Sequence, residues 1–277
     1  MRKVLEVVNL TRVHGPGCDV CRAGELSPDP QDNRCPSCGS VAAARNISLD
    51  LYEGEILGIM GESGSGKSTL VKSLFFDDTP TSGSALYNHN GTTYSLFELN
   101  GAQRRWFRYH CFGMVYQNPQ HGLNFSISAG GNIAERLLMN DVFVYRDIRD
   151  RVSSLLQRTQ VPADRMDEMP GNFSGGMQQR VQIAKALVSN PPLLFLDEVT
   201  TGLDVSVQAR ILDLILEIQD QLKTTMIVVT HDLGVIRLLT GRTLVMKCGQ
   251  VVESGLTDQI LEDPQHAYTQ RLVSSAL

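Results

Sequence analysis

The chain has 277 residues, of which 42% are hydrophobic and 20% charged, and its formal net charge is −5 at pH 7. This length and composition predict a soluble globular protein, with one α/β domain and additions. The acidic balance argues against a broad nucleic-acid surface, and no apolar run is long enough to span a membrane. Because MRKVLEVVNL lacks the apolar centre of a signal peptide, we expect a cytoplasmic protein.

The first predicted elements are strands separated by a segment without periodicity. VLEVVNLTRV and ARNISLDLYEGE read as half-buried strands, the second with alternating apolar and polar residues. Because the residues between them are rich in Gly, Pro, Asp and Cys, we assign residues 15–44 to an insertion between two sheet strands. EILGIM is a short buried strand, and a glycine-rich turn and a helix over residues 67–76 follow it.

Strands and helices alternate through the rest of the chain. SALYNHNGTTYSL predicts a hairpin around residues 90–91, and a helical pattern covers about residues 102–160, with loops at NPQHGLN and SAGGN. The apolar runs LLFLD and TMIVVT are typical of parallel strands covered on both faces, and VQARILDLILEIQDQL between them is an amphipathic helix. A hairpin, TLVMKCGQVVES, and a short helix, LTDQILED, come last.

GESGSGKST, at residues 61–69, has the spacing of a phosphate-binding loop. It fits G-x-x-x-x-G-K-[ST] and lies between a buried strand and a helix. The glycines let backbone N–H groups close around phosphate oxygens, and the helix start adds the positive end of its dipole. Lys67 is expected to reach the β- and γ-phosphates, and Ser68 to bind Mg²⁺. The predicted nucleotide contacts of this loop are Gly61, Ser63, Gly64, Gly66, Lys67, Ser68 and Thr69.

Two further stretches carry groups suited to phosphate chemistry. LLFLDE ends a buried strand on two carboxylates: Asp197 is placed to hold Mg²⁺ through water, and Glu198 is the natural general base for a water attacking the γ-phosphate. In FSGGMQQR, Ser174 is a good N-cap, and Gly175 and Gly176 permit close approach to the following helix. This arrangement aims backbone donors and a helix dipole at an anion.

FSGGMQQR lies between the phosphate loop and LLFLDE along the chain, and with these three stretches the sequence resembles the ATP-binding cassette ATPases over nearly the whole chain except residues 15–44. The resemblance implies a P-loop α/β fold with an antiparallel β part, a RecA-like core and a helical subdomain over residues 110–172, to which a zinc-ribbon-like insertion is added. It also implies Mg²⁺-dependent ATP hydrolysis by two nucleotide domains facing head to tail. Each ATP would lie between the phosphate loop of one partner and the Ser174 region of the other, so an isolated monomer should hydrolyse ATP poorly.

The resemblance adds four more predicted site residues. Gln117 in VYQNP matches a glutamine that contacts metal and water, and His231 in VVTHD matches a histidine that contacts the γ-phosphate. Asp204 in TGLD matches the family's D-loop, and Gln178 lies in the stretch that begins with Ser174. Because the motif residues are present, a scaffold without activity is disfavoured.

The chain departs from the family pattern at two positions. The family usually has an aromatic residue near the end of the first strand, stacked on adenine; here that position is His14, or alternatively Val13. Imidazole stacks less extensively than tyrosine, so looser nucleotide selectivity is expected. A proline commonly follows the glutamate, where this chain has Val199, which retains the carboxylates and frees the backbone.

Two groups of cassette ATPases fit the details. TTGLDVSVQARILDLI and DPQHAYTQRLVSS are similar both to peptide-importer ATPases and to the ATP-binding subunit of the carbon–phosphorus lyase system. Three features favour the lyase subunit. They are the stretch from THDLG to LVSS, the stretch SISAGGNIAERLL, and the end of the chain soon after AYTQ. That resemblance implies an ATPase that is docked on the lyase core complex and powers or regulates phosphonate breakdown, paired with a second copy or a related cassette. The importer alternative implies a membrane permease as partner and a position at the inner membrane.

Other assignments stay open or are disfavoured. DNA-repair cassette ATPases also carry cysteine-ligated zinc modules, but they are usually longer, and the acidic charge fits DNA poorly, so no nucleic-acid partner is expected. In the helical subdomain, SAGGN and the aromatic residues of DVFVYRD are candidates for partner contacts. They are equally well explained as ordinary loop and packing residues.

The insertion carries two Cys-x-x-Cys pairs separated by 13 residues. Four thiolates at this spacing predict a tetrahedral Zn²⁺ site, and a segment so poor in apolar residues needs such support. A redox pair, an iron–sulfur site and four unused cysteines are the alternatives. We expect the insertion to dock a partner or to shield the base edge of the nucleotide. The predicted ligands are Cys18, Cys21, Cys35 and Cys38, and the remaining Cys111 and Cys248 are expected to be buried structural thiols.

Overall fold

The computed structural model describes residues 2–22 and 33–275, so residues 23–32 of the predicted insertion lie outside the described part of the chain. The strands are β1 (Lys3–His14), β2 (Val41–Tyr52), β3 (Ile56–Met60), β4 (Ser82–His89), β5 (Thr92–Ser95), β6 (Phe112–Val115), β7 (Leu193–Asp197), β8 (Thr225–Val229), β9 (Arg242–Lys247) and β10 (Gln250–Leu256). The helices are α1 (Asp19–Arg22), α2 (Lys67–Leu74), α3 (Gly101–His110), α4 (Pro119–Gly122), α5 (Ala129–Leu138), α6 (Tyr145–Arg158), α7 (Gly175–Leu187), α8 (Val205–Leu222), α9 (Leu233–Leu239), α10 (Thr257–Glu262) and α11 (Ala267–Ser274).

The described chain forms two compact units. The first runs up to Arg104 and resumes at Ile227, and the second is Arg105–Met226. The first unit contains an antiparallel sheet in the order β2-β1-β4-β5. β1 pairs with β2 up to His14 opposite Val41, so the cysteine-containing segment is the connection of this hairpin.

The first unit also contains parallel pairing around a buried strand. β3 is buried along its whole length and pairs in parallel with β9, which forms a hairpin with β10. This burial explains the continuous apolar sequence of β3, because a strand covered on both faces has no polar side. The predicted hairpins at residues 90–91 and in TLVMKCGQVVES both form.

The second unit combines two parallel strands with a helical cluster. β6 pairs with β7 from Phe112 opposite Leu193 to Val115 opposite Leu196. α5, α6 and α7 pack their apolar faces together, as their helical spacing of apolar residues predicts. The buried residues of this cluster include Ile133, Leu137, Val152, Leu156 and Val181.

The helical pattern predicted over residues 102–160 is interrupted, and that prediction is wrong in detail. β6 lies within it, because FGMV is a fully buried four-residue run, too short for periodicity to separate strand from helix. SAGGN is not a loop, since Ser128 caps α5 by accepting a hydrogen bond from the Gly131 N–H. Across the described residues, no helix combines the length and apolar character needed to cross a bilayer.

Candidate phosphate-binding site and cysteine cluster

The glycine-rich loop joins the end of β3 to the start of α2 in the first unit. Gly66 caps α2 with φ of 101°, and Gly64 has φ of 82°, a left-handed region in which residues with a side chain are strained. A Cβ at Gly66 would also collide with the Ala43 carbonyl oxygen. The loop is therefore a cradle of backbone groups at a helix N-terminus, as anion binding requires. Ser63 and Gly64 are exposed, while Ser68 and Thr69 are half-buried in the first turn of α2.

Lys67 is held over the loop by the loop itself. Its Nζ donates hydrogen bonds to the carbonyl oxygens of Gly61, at 2.7 Å, and Glu62, at 2.8 Å. The side chain is buried, so its charge is supported by these carbonyl dipoles rather than by bulk water. This places an ammonium group in the cradle, where an anion would be attracted to it.

Tyr268 is a loop contact that sequence reasoning missed. Its buried hydroxyl accepts a hydrogen bond of 3.0 Å from the Glu62 backbone N–H. The two residues are 206 positions apart, and α11 brings the tyrosine to the loop. No local pattern marks this contact, although Tyr268 stands in the AYTQ stretch that carries part of the resemblance.

His14 and His231, the predicted nucleotide contacts of the first unit outside the loop, lie at or just after the ends of strands. His231 is exposed and follows β8, in a turn where Asp232 Oδ1 accepts hydrogen bonds from the N–H groups of Gly234 and Val235. His14 ends β1 with its Nε2 3.7 Å from Asp78 Oδ2 and with 45% of its side chain exposed. Val13, the alternative position, is buried against the cysteines.

In the second unit, the strand β7 delivers two buried carboxylates. Asp197 is the last residue of β7, and Glu198 follows with φ of 49°, an unusual left-handed conformation for a side-chain-bearing residue. Gln117 Nε2 donates a hydrogen bond of 2.8 Å to Glu198 Oε2, so the structure brings these two predicted residues together. Strained backbone of this kind costs of order 1–3 kcal/mol and clusters at functional sites.

The helix α7 begins at the serine-glycine stretch, as predicted. Ser174 caps it by accepting a hydrogen bond from the Met177 N–H, and both Ser174 and Gly175 are exposed. Gly176 faces the TGLD turn, since a Cβ there would lie 3.4 Å from the Leu203 side chain. Asp204 is exposed at the start of α8, without a side-chain capping bond. Gln178 is half-buried and donates through Nε2 to the carbonyls of Pro170 and Phe173, which fixes the turn before α7.

Two buried glutamines of α7 were not predicted as site residues. The Gln182 side chain accepts from the Tyr116 N–H at 2.8 Å and donates to the Tyr116 carbonyl at 2.9 Å. Gln179 donates to the same carbonyl. Because Tyr116 precedes Gln117, these amides position the residue that contacts Glu198. The available signal was the position of Gln179 and Gln182 among the apolar residues on the buried side of α7.

The four cysteines of the insertion form one cluster in the first unit. Their Sγ atoms all lie within 4.8 Å of one another, with Cys18 and Cys35 at 3.6 Å and Cys21 and Cys38 at 3.7 Å. None is in a disulfide. Hydrogen bonds with Ser40 lower the pKa of the Cys38 thiol to about 6. At Cys18 a backbone hydrogen bond with Cys21 is outweighed by desolvation and by hydrogen bonds with the other thiols, which raise its pKa to about 11, so Cys38 ionises before Cys18.

The two remaining cysteines differ from each other. Cys111 is fully buried, and burial raises the pKa of its thiol to about 12. Cys248 is only half-buried, so the prediction that it is a buried thiol is wrong. It lies in the tight β9–β10 turn with φ of 48°, where the side chain cannot enter a core.

Comparisons with known proteins agree on one kind of domain. A family model described as ABC transporter matches residues 44–201. The phosphonates utilization ATP-binding protein PhnK of Escherichia coli, itself described as putative, is 53% identical over 84% of this chain and 90% of its own length. A putative peptide import ATP-binding protein of Brucella abortus is 40% identical over 86% of this chain and 72% of its own length.

Solved structures show the same similarity in three dimensions. A dimeric ATP-binding cassette in a post-hydrolysis state, bound to ADP and Pi, superposes with a TM-score of 0.76 at 26% identity, covering 91% of this chain and 98% of that chain. CbiO1 of Clostridium perfringens, part of the ABC transporter complex CbiONQ, has a TM-score of 0.72 at 27% identity, covering 95% of this chain and 92% of that chain.

Proposed function

Because this chain belongs to the ATP-binding cassette family and is an ATPase of that type, we propose that it supplies ATP hydrolysis to a carbon–phosphorus lyase system that breaks down phosphonates. The observation that carries the proposal is its 53% identity to PhnK over 90% of that protein. The putative peptide import protein of Brucella abortus is 40% identical to this chain over 72% of its own length. In this proposal the chain acts in the cytoplasm, on the lyase core complex, and other subunits break the carbon–phosphorus bond.

The loop of the first unit binds the phosphates of ATP in this proposal. Backbone N–H groups of residues 61–69 contact the phosphate oxygens, and Lys67 exchanges its loop carbonyls for the β- and γ-phosphates. The Ser68 hydroxyl is a proposed Mg²⁺ ligand, His231 a γ-phosphate contact and His14 the adenine contact. Mg²⁺, when bound, neutralises developing charge on the phosphates.

The carboxylates of the second unit supply the general base and a second contact to the metal. Glu198 accepts the proton of the attacking water, and Gln117, which already donates to Glu198, orients that water and contacts the metal. Asp197 holds Mg²⁺ through its water shell. Burial of Asp197 and Glu198 supports these roles, because carboxylates in a low-dielectric site interact more strongly with cations.

A second cassette completes each site in this proposal. The exposed N-terminus of α7 contacts the ATP bound by the partner, and the residues that form or support it are Ser174, Gly175, Gly176 and Gln178. Asp204 lies at the same interface. The similarity to a dimeric cassette bound to ADP and Pi supports this arrangement. The partner is either another copy of this chain or a related cassette.

Complementation tests the phosphonate role. An Escherichia coli strain lacking PhnK is supplied with this chain and grown on methylphosphonate as the sole phosphorus source. Growth with the wild-type chain, and its loss with Lys67→Ala, is the expected result. Growth on inorganic phosphate is the control, and failure of a well-expressed wild-type chain to associate with the lyase core complex would contradict the proposal.

Peptide import is the second candidate, since the Brucella abortus relative carries that description at 40% identity. In that case the chain would bind a membrane permease and support uptake of a labelled dipeptide into cells. Co-purification separates the two functions: a lyase core complex retained on the tagged chain supports the first, and a permease retained in detergent supports the second.

A further inference from the structure

The sulfur atoms of the cysteine cluster have the spacing of a single tetrahedral ion. With metal–sulfur distances of about 2.3 Å, the corners of a tetrahedron are about 3.8 Å apart. The two measured pairs are 3.6 and 3.7 Å apart, and all four sulfurs lie within 4.8 Å of one another. A cluster with its own sulfide ions would hold the thiolates farther apart, so the space fits one ion.

The described residues around the cysteines, 15–22 and 33–40, contribute little apolar core apart from the cysteines themselves. The buried apolar residues packed with the cysteines are Val13 and Ala42, and both belong to the flanking strands. Backbone turns bring the thiols inward: the Cys18 N–H donates to Cys21 Sγ at 2.9 Å, and the Gly39 N–H donates to the Cys35 carbonyl at 2.8 Å. Without an ion, so little apolar burial cannot offset the entropy of ordering these segments.

The cluster is attached directly to the start of β2. The Ala42 N–H donates to the Asn33 carbonyl at 2.8 Å, and Arg34 forms a β-bridge with Val41. Ala42 packs against the cysteines, and its partner across the hairpin is Val13. The cysteine segment and the first residues of β2 are therefore in direct backbone contact.

The next residues of β2, Ala43 and Arg45, support the phosphate loop. The Ala43 carbonyl lies so close to Gly66 that no Cβ fits between them. The Gly249 N–H donates to the Ser65 carbonyl at 2.9 Å, while the Arg45 N–H donates to the Gly249 carbonyl at 2.7 Å. The loop thus packs backbone to backbone against β2 and the β9–β10 turn, with glycines making the close approach possible.

We propose that Cys18, Cys21, Cys35 and Cys38 bind one Zn²⁺, and that this ion fixes the start of β2 against the phosphate loop, so that affinity for ATP depends on zinc occupancy. The metal site stands on its own geometry. Its effect on ATP rests on the proposed function, which places the nucleotide at residues 61–69. If loss of the ion leaves the loop correctly supported in only a tenth of the molecules, affinity for ATP falls about tenfold.

Metal content tests the first part. Elemental analysis of the full-length chain purified without added metal should give about one zinc per chain, and replacement by Co²⁺ should give the absorption bands of tetrahedral cobalt–thiolate coordination. Cys18→Ser and Cys38→Ser replace half-buried ligands and should each reduce zinc retention. Cys111→Ala, the matched control, should retain it. Purified protein that contains no metal, or that contains iron in place of zinc, would overturn the assignment of a zinc site.

Calorimetric titration with Mg²⁺–ATP tests the second part. Chain stripped with a chelator should bind ATP about tenfold more weakly or worse, and added Zn²⁺ should restore the affinity. If stripping causes aggregation, the comparison is made with Cys38→Ser, checked by circular dichroism. Unchanged affinity in zinc-free, folded protein overturns the coupling.

A lysine variant separates failure of this inference from failure of the proposed function. Lys67→Ala should retain zinc and lose ATP binding. If Lys67→Ala binds ATP as the wild type does, the nucleotide is bound elsewhere and the proposed function fails, while the zinc site stands.

Discussion

The side-chain amide of Gln117 donates a hydrogen bond of 2.8 Å to the carboxylate of Glu198, the residue that follows β7. The carboxylate also accepts a hydrogen bond from the Thr201 hydroxyl. Oε2 is thus held by two donors in a strained turn. In the proposed role of Glu198 as general base, a carboxylate fixed in this way would lose little freedom on receiving a proton.

Glu198→Gln should lower ATP hydrolysis by about 10²–10⁴-fold without weakening ATP binding, because the amide cannot accept the proton of water. The variant should accumulate as ATP-bound dimers, which gel filtration with Mg²⁺–ATP would detect. Gln221→Ala, on an exposed face of α8, is the control and should hydrolyse ATP as the wild type does. Rapid turnover by Glu198→Gln would show that another group is the base.

Gly66→Ala should lower the free energy of unfolding by about 2 kcal/mol and abolish ATP binding, since φ is 101° and the new Cβ would meet the Ala43 carbonyl. Gly101→Ala is the matched change. At Gly101 a Cβ meets open space, so stability should stay within about 0.5 kcal/mol of the wild type. Urea unfolding and ATP titration measure both effects, and equal behaviour of the two variants would contradict the packing described for the loop.

Gln182→Leu should destabilise the protein by about 1–3 kcal/mol, because it removes both hydrogen bonds to Tyr116 and leaves a buried N–H unpaired. ATP hydrolysis should fall as well, since Gln117 loses its fixed neighbour. Gln221→Leu, at an exposed position, should change stability by no more than about 0.5 kcal/mol. A Gln182→Leu protein with wild-type stability and activity would exclude this positioning role.

Cys111 should resist alkylation in the folded protein. With a pKa of about 12, only about one thiol in 10⁴ is ionised at pH 8, and the side chain is fully buried. Half-buried Cys248 should react with iodoacetamide before Cys111 does. Peptide mass spectrometry of native and urea-treated samples measures this order, and early modification of Cys111 would show that its surroundings open readily.

The parts of the fold predicted well from sequence are those fixed by neighbouring residues. The loop of residues 61–69, the cap at Ser174 and the four-cysteine cluster depend on spacing over a few positions, and each has the predicted local structure. The resemblance to the cassette family is confirmed by the family model and by the relatives. The individual roles of the site residues, and the bounds 15–44 and 110–172, stay predictions.

The parts that sequence reasoning missed depend on distant contacts. Gln182 and Tyr116 are 66 residues apart, and Tyr268 and Glu62 are 206 apart, so no local period records either pair. The prediction for the β6 residues failed for a different reason. Four buried residues give too short a pattern to distinguish strand from helix. The prediction that Cys248 is buried was wrong because the geometry of a turn, rather than the hydrophobicity of cysteine, determines its position.

The hydrogen bond between Tyr268 and Glu62 also has a consequence for synthesis on the ribosome. The loop residue is translated 206 residues before its partner, a delay of about 10–40 s at bacterial elongation rates. During that interval the nascent chain carries the loop of residues 61–69 without its hydrogen bond to Tyr268. The loop therefore gains this long-range hydrogen bond only after α11 has been translated.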